Sequence, residues 1–418
     1  MAGVKKGKIK IAIIGGGAAG VFGALKIKSL CPDADVVVFE KSQKLLSKVK
    51  VSGGGRCNVT HHCFEISQLL KNYPRGEKDL RQAFNQFSCA DTIEWFELRG
   101  VSIKTEADGR MFPTTDNSQT IIDCLMQEAD DLQVDFSMGT AIKEIFPVES
   151  KIRLVFQDHQ EIDFDAVLIA AGGHPTLSGF NWLSKLPHSV VSPVPSLFTF
   201  NLKDKSITKL MGVSVPNAQA KIVGSKNVQS GPLLITHWGF SGPAILKLSS
   251  FAAKELADLN YSFKVSINWI NQKEDEVRDF FDKLKAQYPK RTVYRCNELE
   301  IPKRLWEYLL DRIKLDGEIV LGQLSRDHLN RLINTIINDQ YDVSGKTTFK
   351  EEFVTCGGVS LKEVDFKTME SKLIPNVFFA GEILDVDAVT GGFNFQAAWT
   401  TGFIAGKTIG SRFALKKN

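Results

Sequence analysis

The chain has 418 residues, 43% of them hydrophobic and 24% charged, which is an ordinary globular composition with enough length for two or three domains. Lys and Arg outnumber Asp and Glu by only 52 to 48, so a protein that is basic throughout is excluded and any basic face must be local. The seven Cys residues are scattered without a CxxC pair, which argues against a disulfide framework or a zinc site and favours a reducing compartment.

The first segment, VKKGKIKIAIIGGGAAGVFGAL, superficially imitates a signal peptide because lysines precede an apolar run and small residues. Glycines interrupt that run, and the segment continues directly into a second predicted strand, which argues against a leader. No other stretch approaches the roughly 18 apolar residues that a membrane-spanning helix needs. We therefore expect a cytoplasmic protein with no membrane partner and no metal.

A dinucleotide-binding fingerprint opens the chain. Residues 9–14 (IKIAII) read as a buried strand, followed by Gly15, Gly17 and Gly20 in G-x-G-x-x-G spacing, a helix, and a second strand that ends at Glu40. The glycines permit a tight turn and close approach to a pyrophosphate, and Glu40 is placed to accept hydrogen bonds from ribose hydroxyls. The alternative is a glycine-rich turn without a ligand. At this point NAD and FAD remain undistinguished.

The segment after Glu40, KSQKLLSKVKVSGGGRCNVTHH, does not match the tidy second helix of an NAD dehydrogenase. A large flavin explains the difference, because the bare backbone of Ser52–Gly55 would allow close approach to an extended cofactor. Arg56 would add a fixed positive charge and Asn58 a side-chain amide. The alternatives are a surface turn and, for Cys57, either a redox partner or a buried structural thiol.

The other end of the chain carries a matching pattern. NVFFAGEILDVDAVTGGFNFQAAW contains a strand, the acids Asp385 and Asp387, paired glycines, and a predicted helix that starts near Phe393. We prefer Asp387 over Asp385 as the acid that holds the ribityl or phosphate end of the cofactor. The positive end of the helix would face the flavin pyrimidine edge. A core helix capped by glycines explains the helix but not the acids.

Between these ends lies a long insertion. DAVLIAAGG (165–173) returns to the first sheet, residues 191–270 alternate as in an antiparallel sheet or barrel, and residues 271–339 show helical periodicity, with Ser325 as a predicted N-cap. Strand-like signals resume near TTFKEEFVTCGGV. The predicted fold is α/β, with a Rossmann-type FAD-binding domain built from both chain ends, an inserted barrel-like β domain and a small helical subdomain. The predicted boundaries are 1–190 with 355–418, 191–270 with 340–354, and 271–339.

Two glycine-containing loops are candidate sources of catalytic groups. THWGFSGPAIL presents His237, and TCGGV presents Thr355. Each is also compatible with a purely structural turn or hinge. Together with Cys57 these are the three candidate catalytic residues, and the catalytic acid stays unassigned.

The motifs GGGAAG, KVSGGGRCNVT, LIAAGGHP, THWGFSGPAIL, TCGGVSLKEVDFKTMESK and AGEILDVDAVTGGFNFQAAW resemble the BaiN-like (YhiN-like) family of bacterial NAD(P)/FAD-dependent oxidoreductases. The resemblance runs from the first strand to the last helix. Two departures stand out, Cys356 in the TxGGV element and Ala388 where glycine is common. With the fingerprint residues, the resemblance implies a cofactor set of Gly15, Gly17, Ala19, Gly20, Glu40, Lys41, Lys48, Ser52, Gly53, Gly54, Arg56, Asn58, Ile142, Gly381, Asp387, Gly392, Phe393 and Asn394.

The resemblance also implies an activity, in which NAD(P)H serves as a transient electron donor and a carbon–carbon double bond of the substrate is reduced. The substrate is either a small molecule or ribosomal RNA, in which case a uridine would be reduced. Amine oxidation and a non-enzymatic flavin redox sensor are the remaining alternatives.

One local feature bears on the substrate. Residues 283–314 hold nine Lys and Arg against four acids, and Tyr288, Tyr294, Trp306 and Tyr308 lie among them. A basic helical unit that carries aromatic side chains suits RNA. The alternative is an amphipathic unit with a solvated basic face.

Overall fold

A computed structural model describes residues 8–296, 298–347 and 354–415 of the chain. The chain forms two compact units, one from Met1–Pro195 with Lys350–Asn418 and the other from Ser196–Phe349. The sequence boundaries at 190/191 and 354/355 lie five residues from these. The strand predicted around TTFKEEF, and with it part of the predicted segment 340–354, lies largely outside the described residues.

The strands of the described residues are β1 (Lys10–Ile14), β2 (Asp35–Glu40), β3 (Thr60–His61), β4 (Ile103–Thr105), β5 (Arg110–Pro113), β6 (Asp135–Met138), β7 (Ile142–Val148), β8 (Lys151–Phe156), β9 (Glu161–Phe164), β10 (Ala166–Ile169), β11 (Val190–Ser196), β12 (Thr199–Leu202), β13 (Ser214–Ile222), β14 (Val228–Ile235), β15 (Gly239–Ser241), β16 (Ser262–Asn268), β17 (Asp339–Thr347), β18 (Val354–Val359), β19 (Val364–Asp365), β20 (Glu370–Ser371) and β21 (Val377–Phe379).

The α-helices of the same residues are α1 (Ala18–Leu30), α2 (Ser47–Gly55), α3 (Ile66–Leu70), α4 (Glu77–Phe84), α5 (Cys89–Glu97), α6 (Ser118–Asp131), α7 (Pro243–Phe251), α8 (Ala253–Asp258), α9 (Glu274–Gln287), α10 (Lys303–Arg312), α11 (Arg326–Ile337) and α12 (Phe393–Leu415). None of them is both long enough and apolar enough to cross a membrane.

The first unit is organised around a seven-stranded sheet with the order β19-β20-β21-β10-β1-β2-β6. The five strands from β21 to β6 run parallel, and β19 and β20 extend the edge antiparallel. Strands β1 and β10 are almost completely buried, as expected for a parallel sheet that is covered on its faces. The strand predicted over 165–173 ends early, at Ile169, and the chain then turns through Gly172 at φ +74°.

Helices α1 and α12 pack against each other through backbone that carries no side chain. A Cβ added to Gly402 would lie 2.4 Å from the Ala19 carbonyl oxygen, and one added to Gly406 would lie 2.5 Å from that of Gly23. Such distances are far inside van der Waals contact, so both helical positions require glycine. The first and last helices of the unit are thereby held at close approach.

The second unit contains a closed antiparallel barrel with the strand order β12-β15-β14-β13-β16-β17. Its core continues without interruption into the helical segment, because Val265 of β16 and Trp269, which directly follows β16, belong to the same buried cluster as Phe281, Leu305 and Leu332. Sequence periodicity separates strands from helices at about residue 270, but it carries no information about which of them share a core.

The fold class is confirmed: a Rossmann-type domain from both chain ends with an inserted antiparallel barrel and helices. Local expectations also hold, since α12 begins at Phe393 and the Ser325 side chain caps α11 by accepting from the His328 N–H at 3.1 Å. The small antiparallel sheets β3-β5-β4 and β7-β8-β9 are additions that the sequence analysis did not specify.

The helix contact leads to a stability prediction. Gly402→Ala places a methyl group inside the Ala19 carbonyl contact, so the helices must separate, and we expect a loss of about 1–3 kcal/mol in the free energy of unfolding. Urea denaturation measures this, with Lys407→Ala on an exposed position of α12 as the control. A Gly402→Ala protein as stable as the parent would show that the helices are not held by this contact.

Candidate functional site

The carboxyl ends of four adjacent parallel strands meet at one edge of the sheet. Gly15 follows β1, Glu40 ends β2, Ala170 follows β10, and Gly381 lies two residues beyond β21. Strand β1 pairs with β2 on one side and with β10 on the other, so the strand order reverses at β1. Ligands of open α/β sheets bind outside such an edge, where the strand order reverses.

The glycine fingerprint forms an open helix start at this edge. A Cβ on Gly15 would lie 2.3 Å from the Ala170 carbonyl oxygen, and one on Gly20 would lie 2.0 Å from the Gly15 oxygen, so both positions allow close backbone packing. Gly17 is the N-cap of α1, no side chain caps the helix there, and a Cβ at Gly17 would meet nothing within 4 Å. The first N–H groups of α1 are therefore available to an anion.

Glu40 is fixed beside this turn. One carboxylate oxygen accepts from the Gly16 N–H at 2.9 Å, and the other accepts from the Ser42 N–H at 2.8 Å. A carboxylate has roughly four acceptor positions, so two hydrogen bonds leave capacity for a ligand. The neighbouring Lys41 is exposed.

Ile142 belongs to the same side of the site. It begins β7 and pairs with Phe156, and it lies two residues beyond Thr140, whose N–H donates to the Glu40 carbonyl oxygen at 2.9 Å. Ile142 is therefore far from Glu40 in sequence, but it follows closely on a residue that hydrogen-bonds the Glu40 backbone.

Glu382 is an acid of the site that the sequence analysis missed. It follows Gly381, which has φ +73°, at the end of β21. Its carboxylate forms an ion pair with Lys48 and lies 3.4 Å from the Thr355 backbone nitrogen, which donates to it. The signal was present in the sequence, since Glu382 comes directly after the apolar segment VFFAG, as Glu40 ends VVVFE.

Asp387, the acid preferred from the sequence, has a different environment. Its side chain is completely buried, and both carboxylate oxygens accept from the guanidinium of Arg75. Arg75 belongs to the loop before α4, and nothing in the single sequence pointed to it. Asp385 accepts from the Gly357 N–H at 2.9 Å. All three acids thus have protein partners, but Asp387 is completely buried whereas the Glu382 side chain is partly exposed.

The three glycines of the SGGGRCN segment all have left-handed backbone angles. Ser52 breaks α2 with ψ 149°, and Gly53, Gly54 and Gly55 follow at φ +58°, +70° and +85°. A Cβ on Gly54 or Gly55 would meet nothing within 4 Å, so this backbone borders open space as well as requiring glycine.

Arg56 makes more contacts with protein than the sequence suggested. Its guanidinium lies 4.0 Å from the centre of the Phe112 ring and pairs with Glu106 at 2.5 Å and Asp116 at 3.5 Å. The hydrogen bond that Arg56 donates to the Glu106 carboxylate is the main reason why the pKa of Arg56 is raised. Its positive charge is therefore shared with these acids.

The segment after Arg56 packs tightly on the start of α12. A Cβ on Gly392, which has φ +90°, would lie 2.4 Å from the Thr60 carbonyl oxygen and 2.9 Å from Asn58 Oδ1. The buried Asn58 side chain accepts from the Met111 N–H at 3.3 Å. Residues 58–60 are thus locked against the glycine pair that precedes Phe393.

The loop before α12 is also closed by its own side chains. The Asn394 amide donates to the Ala388 carbonyl at 3.1 Å and accepts from the Ala388 N–H at 2.9 Å. His61 stacks on Phe393 with ring centres 4.5 Å apart, and its Nδ1 lies 2.9 Å from the Gly391 carbonyl oxygen. Because a carbonyl only accepts, this Nδ1 carries the proton.

The three candidate catalytic residues have different environments. Cys57 is fully buried, and burial raises its pKa to about 12, so the group is a thiol at neutral pH and a poor nucleophile. His237 lies in the turn between β14 and β15 of the second unit, exposed and in edge contact with Trp238. Thr355 is 2% exposed, and its hydroxyl has no hydrogen-bond partner among the described residues.

The described residues contain no group of three or more His, Cys, Asp or Glu side chains arranged to hold a metal ion. The seven cysteines all fall within the described residues and are free.

The family of the chain follows from its similarity to known proteins. The HI0933-like protein Rossmann domain family matches residues 9–408. The chain belongs to this family. The HI0933-like family comprises FAD-dependent oxidoreductases, and the motif resemblance noted in the sequence is thereby confirmed.

Two curated relatives cover almost the whole chain. A 3-dehydro-bile acid delta(4,6)-reductase of Clostridium scindens is 27% identical over 96% of this chain and 99% of its own length. A ribosomal RNA dihydrouridine synthase of Haemophilus influenzae is 27% identical over 95% of this chain and 97% of its own length. The two relatives carry different substrates in their names at the same identity, so identity does not choose between them.

Solved structures show the same fold at low identity. A 3-ketosteroid delta1-dehydrogenase from Sterolibacterium denitrificans has a TM-score of 0.51 and 10% identity, covering 96% of this chain and 99% of that chain. A 3-ketosteroid-delta4-(5alpha)-dehydrogenase from Rhodococcus jostii has a TM-score of 0.50 and 12% identity, covering 98% of each chain.

The residues at the sheet edge fit the cofactor of this family. The uncapped start of α1 offers N–H groups to a diphosphate, and Glu40 lies directly beside it. The backbone at Gly54 and Gly55 borders open space that a ligand can approach, and the partnerless Thr355 hydroxyl is a polar group that a ligand would satisfy.

The Arg75–Asp387 pair leads to the second prediction. Arg75→Met leaves a completely buried carboxylate without its cation, so we expect the apoprotein to lose about 3–5 kcal/mol in free energy of unfolding. The double variant Arg75→Met/Asp387→Leu removes both charges and should recover most of that loss. If Arg75→Met alone denatures like the parent in guanidinium chloride, the pair does not stabilise the fold.

Proposed function

We propose that the chain binds FAD along the carboxyl edge of β2, β1, β10 and β21. The adenosine ribose would lie at Glu40, the diphosphate at Gly15–Gly20, and the flavin half towards Glu382. The observation that carries this proposal is the open, uncapped start of α1 with one acid-bearing strand end on each side. The order of these strands in the sheet supports a cofactor that extends across all four.

The remaining predicted residues support this cofactor to different degrees. Ala19 in the first turn of α1 packs against Gly381, whose added Cβ would lie 2.9 Å from the Ala19 methyl carbon. Small residues at both positions therefore let the start of α1 approach the segment after β21. Lys48 would act through its ion pair with Glu382. We assign Glu382, in place of Asp387, as the acid that faces the flavin half, and we give Asp387 a structural role.

We propose further that the protein uses NAD(P)H to reduce a carbon–carbon double bond. The delta(4,6)-reductase and the dihydrouridine synthase have names that share one chemical step, the addition of two hydrogens across such a bond. Bound FAD would supply the hydride chemistry, and the protein would supply position and electrostatics. The sequence carries one dinucleotide fingerprint, so a nicotinamide would bind transiently without a Rossmann domain of its own.

Anaerobic mixing of the purified holoprotein with NADH or NADPH tests the electron donor. We expect loss of the flavin absorbance with one of the two nicotinamides, followed by its recovery when a 3-oxo-Δ4,6 steroid acid or uridine-containing ribosomal RNA is added. Bleaching by amines instead of nicotinamides would favour an amine oxidase. Stable bound FAD that no donor or substrate changes would favour a redox sensor and contradict the reductase proposal.

A second candidate function, the reduction of a uridine in ribosomal RNA, is favoured by the basic helical segment of the second unit. Lys283, Lys290, Arg295 and Lys314 are exposed and form no ion pair with any described residue. Tyr288 and Tyr294 are exposed as well. Cations without acidic partners, flanked by accessible aromatic rings, suit phosphates and unstacked bases.

Two aromatic residues counted in the sequence do not belong to this surface. Trp306 is 2% exposed, and its indole N–H donates to the Val293 carbonyl at 3.2 Å, so it is a core residue. Tyr308 is half-buried, with its hydroxyl 2.9 Å from that of Ser206. The helical periodicity of α10 places Trp306 on its buried face. The position of Trp306 among basic residues in the sequence does not show this.

The RNA hypothesis predicts a change in salt dependence. Replacing Lys283, Lys290, Arg295 and Lys314 with Ser should weaken RNA binding and reduce the slope of log affinity against log salt by about 0.7 per lost phosphate contact. A matched control removes charges that have acidic partners, through Arg278→Ser and Arg331→Ser, whose guanidinium groups pair with Glu274 and Asp327. If the parent and the fourfold variant bind RNA equally at every salt concentration, the basic face does not bind RNA. The remaining proposal is then a reductase of a small molecule.

A further inference from the structure

The hydroxyl of Thr355 is a buried polar group without a partner. Thr355 is the second residue of β18 and is 2% exposed, and its Oγ1 makes no hydrogen bond to any described residue. Buried hydroxyls in native proteins almost always have a partner, because leaving one unsatisfied costs the desolvation of that group. Such an atom points to a ligand that completes its surroundings.

A glycine allows this hydroxyl to approach the segment after β10 closely. A Cβ added to Gly173, in the segment after β10, would lie 2.3 Å from Thr355 Oγ1 and 3.1 Å from the carboxyl carbon of Glu382. The hydroxyl and the carboxylate therefore border the same small region above Gly173. Any side chain at position 173 would clash with the hydroxyl, so position 173 needs glycine for this contact.

The backbone around Thr355 is fixed, so the hydroxyl cannot be relieved by a shift of the strand. Gly357 has φ +105°, its N–H donates to Asp385 at 2.9 Å, and a Cβ there would lie 2.5 Å from Pro193 Cα. Gly358 has φ +143° and would place a Cβ 2.4 Å from the Ile383 carbonyl oxygen. Both glycines of the TCGGV element, two and three residues after Thr355, are held by close backbone contacts.

The strand order indicates which part of a ligand reaches this point. Glu40 marks the β2 side of the glycine turn, and Gly173 and Glu382 mark the β10 and β21 side. We infer that the Thr355 hydroxyl hydrogen-bonds the flavin half of bound FAD, at the ribityl hydroxyls that join the diphosphate to the ring. This inference rests on the proposed FAD site. It makes Thr355 a binding residue and not a catalytic one.

Thr355→Val tests the inference, because valine keeps the shape of the side chain and removes the hydroxyl. Titrating the apoprotein should show FAD affinity reduced roughly three- to tenfold, the effect of one lost hydrogen bond. The affinity for ADP, which has the adenosine and diphosphate but no ribityl chain or ring, should stay unchanged. The melting temperature of the apoprotein should be equal or higher, since the variant removes an unsatisfied buried group.

Two further variants serve as controls. Thr355→Ser retains the hydroxyl and should bind FAD within about twofold of the parent. Glu40→Gln acts on the adenosine half and should weaken FAD and ADP alike. The inference is overturned if Thr355→Val binds FAD as the parent does, if it loses ADP affinity equally, or if its apoprotein melts well below the parent. A parent protein that binds no FAD would instead overturn the proposed function.

Discussion

Strand β21 pairs in parallel with β10 through Val167↔Val377, Leu168↔Phe378 and Ile169↔Phe379, and the two halves of the site meet because of this register. The pairing places Gly381 and Glu382 at the same sheet edge as the glycine turn after β1. A shift by one residue would turn the side chains of β21 to the opposite face of the sheet. The first 60 residues and the last 40 then form one site although more than 300 residues separate them.

The site is built largely from backbone. At Gly15, Gly173, Gly392 and Gly402 an added Cβ would lie within 2.4 Å of another atom, so distant segments approach each other only because these positions lack side chains. Side-chain chemistry is concentrated in a few groups with defined partners, notably Glu40 on the Gly16 N–H and Glu382 on Lys48. An enzyme that leaves the reaction chemistry to a cofactor needs this kind of positioning more than it needs nucleophiles.

The sequence predicted the parts of the structure that local pattern encodes. The fingerprint, the strand that ends at Glu40, the start of α12 and the Ser325 cap follow from spacing and residue type within a few positions. Tertiary contacts were not encoded locally. The buried ion pair of Asp387 with Arg75 could not be read from the sequence, Trp306 looked accessible until its helix face was known, and the Thr355 hydroxyl is distinctive only because its neighbours leave it unpaired.

The most direct test of this account is the identity and amount of flavin released when the purified protein is denatured. If Glu40 binds the adenosine ribose and the open start of α1 binds the diphosphate, as we propose, chromatography of the supernatant should show FAD at close to one molecule per chain. Release of FMN would contradict the assignment of Glu40 and the glycine turn. A protein that carries no flavin, and whose absorbance and melting temperature do not change when FAD is added, would contradict the account as a whole.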